Sequence, residues 1–122
     1  MTLSCSFVYG QRRKKDLTPM DVTELSEDVA LKAEATLIEA EKEMILENYA
    51  KAYDLFQVAL GLNPNNPTIH FKIAEVLSKN GESRQAVSYI KKAIELDRKN
   101  KYFHVLAAEI YKSISEYDLA LK

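Results

Sequence analysis

Residues 67–100 read PTIHFKIAEVLSKNGESRQAVSYIKKAIELDRKN, and this stretch decides the fold. Asn80-Gly81 splits it into two apolar-periodic halves, each about a dozen residues long, the usual length of a globular helix. Glycine there can take the left-handed conformation that ends a helix. Just upstream, Asn63-Pro64-Asn65-Asn66-Pro67 is a turn, because neither proline can donate a helical hydrogen bond. Lys99-Asn100 closes the stretch on the far side. The short break at 80–81 makes the two helices antiparallel neighbours, a hairpin.

The same punctuation recurs on either side. Breaks fall near Glu47-Asn48 and near Ser115, and glycine and proline are scarce elsewhere, at three each. β-Branched residues never alternate over a sustained run, so no strand is expected. The chain reads as helical from about Glu27, with residues 1–26 irregular and Thr18-Pro19 a cap and first position for a short turn. Shifting the sequence by 34 brings like residues together. Ala40-Glu41 becomes Ala74-Glu75 and then Ala108-Glu109; Ala52 becomes Ala86 and Ala120. Ala59 falls on Ala93, His70 on His104, Phe56 on Ile90 and Leu77 on Tyr111. Small residues at a fixed period let facing helices approach closely, while larger ones fill the spaces between successive hairpins.

This period and pattern resemble the tetratricopeptide repeat family: residues 33–122 look like two repeats and most of a third. The resemblance implies an all-α fold, antiparallel hairpins stacked as a short α-solenoid over residues 27–122. It departs from the family at Glu39 and Glu43, where large apolar residues belong, and at Arg98, where a proline belongs. The first helix is therefore expected to be rotated and to extend N-terminally through Val29 and Ala33. Lys122 follows Ala120 by two residues, so the third unit is expected to be truncated at the start of its second helix. Ile110, Ile114, Leu119 and Leu121 would then lack partners, which points to a fragment of a longer array or to self-association through this uncapped end.

In the family the first helix of each hairpin lines a concave groove. Carried over position by position, this implies a peptide-binding surface of Leu37, Phe71 and Val105 as an apolar row and Glu41, Glu75 and Glu109 as an acidic row. Thr68, Tyr102 and Met44 complete the set. Such a groove suits a peptide with hydrophobic anchors and Lys or Arg. The plainer alternative stays open: glutamate is a good helix former on any solvated face, and Leu37 also suits packing between repeats. Family members that clamp the carboxylate end of chaperone tails use Lys and Asn in the groove. Here Leu37, Glu41, Lys72, Tyr102 and Leu106 stand there, so that clamp is not expected.

The rest of the sequence narrows the function classes. Seventeen Lys and Arg against eighteen Asp and Glu leave no field favouring nucleic acid or a membrane surface. Arg12-Arg13-Lys14-Lys15 is read as a solvated run. No apolar run approaches the ~20 residues of a membrane span. One cysteine, Cys5, forms no internal disulfide, and His70 with His104 lack a third metal ligand. With no phosphate-cradling glycine loop and no paired buried carboxylates, no enzyme, metal or cofactor is expected. The small apolar stretch from Leu3 to Tyr9 resembles the end of a secretory signal or a frayed terminus, leaving the cell envelope and the cytoplasm both open. The sequence thus points to a scaffold or adaptor that binds a protein or peptide. A helical regulatory or sensor segment of a larger protein is the alternative.

Overall fold

Two short turns of the same design set the register of the structure. Asn66 accepts a hydrogen bond on its side chain from the Thr68 amide at 2.8 Å, and Pro67 follows at the first helical position. Thirty-four residues on, Asn100 accepts from the Tyr102 amide at 3.0 Å. Both side chains satisfy one of the free amides at a helix start. His70 and His104 add a second link. Each Nε2 lies within 2.9 Å of a backbone carbonyl in the preceding turn, Pro64 in one case and Arg98 in the other. Because a carbonyl can only accept, Nε2 carries the proton in both rings. The link uses the backbone at that position, so Arg98 serves as well as Pro64.

In the computed structural model the backbone is described for residues 19–120 and the side chains for residues 27–120. Five helices follow in order: α1 (Pro19–Ile45), α2 (Tyr49–Leu62), α3 (Pro67–Lys79), α4 (Ser83–Leu96) and α5 (Lys101–Ala120). Among the described residues there is no strand. Each helix packs on the next, α1 with α2 and α3 with α4 as hairpins, so the expected all-α stack is observed. Within the hairpins the turns are again equivalent. The Asn48 amide donates to the Glu43 carbonyl at 2.9 Å and the Glu82 amide to the Leu77 carbonyl at 2.8 Å. Glu47 and Gly81, one residue earlier in each turn, take positive φ of 63° and 81°. This left-handed residue closes a helix and lets the chain reverse.

The small residues do what their spacing suggested. Ala40, Ala52, Ala59, Ala74, Ala86 and Ala93 are wholly buried. Phe56, Ile69, Ile73 and Ile90 fill the space around them, with Phe103 and Ile110 of α5 closing the core.

Three expectations need correcting. Helix α1 starts at Pro19, so residues 19–26 are helical rather than irregular; residues 1–18 lie outside the described part. α1 does run through Val29 and a buried Ala33, but it is not rotated to remove Glu43 from the core. Glu43 stays inside at 4% exposure, accepting from Asn48 Nδ2 at 2.8 Å and pairing with Lys51 at 3.4 Å. The Asn48 amide group holds its carboxyl below the usual carboxylate range; burial opposes this and Lys51 assists it. Glu39, by contrast, is simply exposed beside Lys42.

The third correction concerns Ser115, which stands at the register of Glu47 and Gly81. No break forms there: α5 continues to Ala120. Ala108 and Tyr111, equivalents of buried Ala74 and Leu77, are exposed, as is Ala120. A left-handed serine costs roughly 1–2 kcal/mol. At Glu47 such a cost is offset and at Gly81 glycine avoids it, and in both places a following helix covers the alanine seam. Nothing among the described residues covers it after 115.

Candidate functional site

Two side-chain links show how the first helices are arranged. Lys72 of α3 reaches Glu41 of α1 at 3.0 Å, and Phe71 of α3 stacks on Phe103 of α5 with centroids 5.0 Å apart. On the other layer, Gln57 of α2 donates to the Tyr89 hydroxyl of α4 at 2.9 Å. The molecule is therefore two layers, α1–α3–α5 and α2–α4, and the candidate binding residues all belong to the first.

The structure places them unequally. Leu37, Met44 and Phe71 are half-buried and packed against the core, so much of their apolar surface is already used. Tyr102 and Val105, on α5, are the free ones, at 65% and 54% exposure. Thr68 is exposed near the start of α3, its amide committed to Asn66. Lys101 lies 5.6 Å from the Tyr102 ring, a cation over an aromatic face.

The acidic row is partly neutralised from within. Lys72 sits between two of its members, 3.0 Å from Glu41 and 3.4 Å from Glu75, and its ammonium lies 5.7 Å from the Phe71 ring. Burial works against the lysine charge, but Glu41 and Glu75 outweigh it and raise its pKa above the ordinary lysine value. One lysine thus offsets one of the row's three negative charges. The sequence marks Lys72 only as the one basic residue among the clamp positions. Its spacing to Glu75 is the familiar i,i+3 of a helix surface; its reach to Glu41 exists only after α1 and α3 stack. Glu109, on α5, is exposed and has no salt bridge among the described residues. Negative charge available to a ligand is therefore weighted toward the α5 end.

Two open clefts lie elsewhere. One of about 380 Å³ runs between the α3–α4 turn and α5, lined by Gly81, Ser83, Arg84, Ser113, Ile114 and Tyr117. Ser83 and Ser113 join across it at 3.1 Å, and Arg84 pairs with Asp118. It exists because α5 runs straight past Ser115. The other, about 280 Å³, lies among α2, α3 and α4 beside Tyr49, Tyr53 and Glu82. Neither includes any residue of the first-helix row. A shallow surface for an extended partner need not register as an enclosed cavity, so the clefts do not displace the row as the candidate site. Among the described residues no group of His, Cys, Asp and Glu is arranged to hold a metal ion. Nor is any described helix long and apolar enough to cross a membrane.

A match to the tetratricopeptide repeat family covers residues 43–110, more than half of the chain. With the stacked hairpins and the buried alanine seams, the class is settled: this is an α-helical repeat protein. The chain belongs to the tetratricopeptide repeat family. A search of curated proteins finds no match to it. Repeats of this family generally mediate protein–protein interactions and are typically non-catalytic.

Proposed function

We propose that this protein is a scaffold or adaptor that holds a peptide segment of a partner against the α1–α3–α5 layer. The observation that carries this reading is the aromatic step on α3 and α5. Phe71 and Phe103 stack into a rigid base, and Tyr102 and Val105 stand exposed beside it. Exposed apolar side chains on a rigid base favour binding, since little further ordering is needed when a ligand arrives. Leu37 and Met44 extend the apolar row toward α1. Glu109, together with the net negative Glu41–Lys72–Glu75 group, biases the surface toward ligands carrying Lys or Arg.

The test is a displayed random-peptide library panned on the 122-residue protein. Recovered peptides should combine apolar anchors with basic residues, and Val105→Asp should weaken them about tenfold or more, equivalent to ~1.4 kcal/mol. Val58→Asp, changing a comparably exposed valine on α2, should leave them unaffected. Peptides that bind the Val105→Asp protein as well as the parent would remove this surface from consideration.

A further inference from the structure

Helix α1 is 27 residues long, against 14 for the α2 helix it pairs with. Its described side chains from 27 to 32 are all exposed, so the N-terminal part projects as an arm beyond the hairpin. A projecting helical stretch of about a dozen residues is marginal in water and gains stability mainly by covering an apolar face. The arm and the helix behind it carry such a face. Leu31, Ile38 and Ile45 are 69%, 67% and 80% exposed, and they recur every seven residues on one side, with exposed Ala35 between the first two. Ala33 and Ala40, on the opposite side, are buried against the rest of the stack. Three large aliphatic side chains exposed in line are unlike the scattered apolar residues of an ordinary surface.

We propose that two copies of this chain pair antiparallel along this stripe, α1 against α1. The seven-residue spacing is that of a two-helix seam. Charge selects both the occupant and the direction. Asp28 and Lys42 lie seven residues either side of Ala35, on the seam itself. Lys32 and Glu39 share one edge, their midpoint half a residue from Ala35. A two-fold axis at Ala35 sets Asp28 of each copy against the other's Lys42, and Lys32 against the other's Glu39. Within one copy Glu39 and Lys42 pair with each other at 2.7 Å, an exposed contact that the dimer exchanges for these. Parallel pairing would instead set Asp28 on Asp28 and Lys42 on Lys42. On the other edge Glu41 is already paired with Lys72, leaving Glu34 facing its own copy as the like-charge contact that remains. The complementarity belongs to the sequence paired with itself, which an unrelated helix would match only by chance. Small Ala35 at the midpoint lets the helices close. The dimer carries two copies of the α1–α3–α5 surface, so a partner with two binding segments would be held by avidity.

Sedimentation of the full chain at micromolar to sub-millimolar concentration tests the pairing. The mass should rise from 13.9 kDa toward twice that value. Ile38→Asp should weaken association by at least about tenfold while circular dichroism stays helical, since it buries an unpaired charge. Lys32→Glu and Glu39→Lys should each weaken the dimer, and the two together should restore it. In a Cys5→Ser background, Ala35→Cys should cross-link copy to copy. A monomer throughout overturns the proposal, and so does a dimer that survives Ile38→Asp. Failure of the double swap to recover, or absence of the cross-link in a dimer, overturns the antiparallel register. Each outcome is independent of peptide capture, which is read on Val105.

Discussion

Ala74 and Ala108 occupy the same place in the repeat and opposite places in the structure, which makes a leucine at each a direct measure of what the stack buries. Ala74 is wholly buried in the seam between α3 and α4, among Ala86, Ile90 and Ala93. Leucine adds three carbons where no space is left, and the helices must separate or the side chain must leave its preferred rotamer. Overfilling of this kind costs about 1–3 kcal/mol. Ala108 faces outward from α5, and leucine is nearly as good a helix former as alanine. Ala108→Leu should therefore stay within about 0.5 kcal/mol of the parent. Urea unfolding followed by circular dichroism separates the two. With a slope near 1.5 kcal/mol per molar, Ala74→Leu should lower the midpoint by roughly 0.7–2 M, and Ala108→Leu by under about 0.3 M. Equal losses at both positions would refute the reasoning. They would mean that the Ala108 face is covered in solution or that the alanine seam tolerates bulk.

Two other expectations follow from the turns. The Glu43 carboxyl is held below the usual carboxylate range, so its contribution is fully present above that range and is lost as pH falls through its folded pKa. The stability gap between the parent and Glu43→Gln should accordingly narrow on acidification, and melts showing a constant gap from neutral pH to pH ~3 would contradict the Asn48 and Lys51 contacts. Gly81 has φ of 81° and open space around its missing Cβ, so Gly81→Ala is strained by backbone alone. The expected loss is about 1 kcal/mol in the same urea assay, with Gly81→Asn recovering part of it because Asn tolerates the left-handed region. An alanine variant as stable as the parent would place residue 81 outside that region.

Much of the fold was legible because its determinants are local or periodic. Asn66-Pro67, Asn80-Gly81 and the 34-residue recurrence of alanine act through turn chemistry and side-chain size, which do not depend on distant partners. The binding row was legible only in outline. Helical spacing put Phe71, Glu75, Tyr102 and Val105 on first helices, but it could not say that Phe71 rests on Phe103 or that Lys72 reaches back to Glu41. Glu43 looked misplaced because the polar partners that make its burial tolerable, Asn48 and Lys51, sit across a turn and on the next helix.

The amino-acid sequence alone determined that the chain would form antiparallel helical hairpins with alanine at their seams, since periodicity and breakers are written residue by residue. Tertiary structure decided what each seam met. The same register position is left-handed at Glu47 and Gly81 but helical at Ser115, and the same alanine is buried at 74 but open at 108. The physical reason is that bending the backbone and excluding water both cost free energy, and both are offset only when another helix arrives to cover the apolar face.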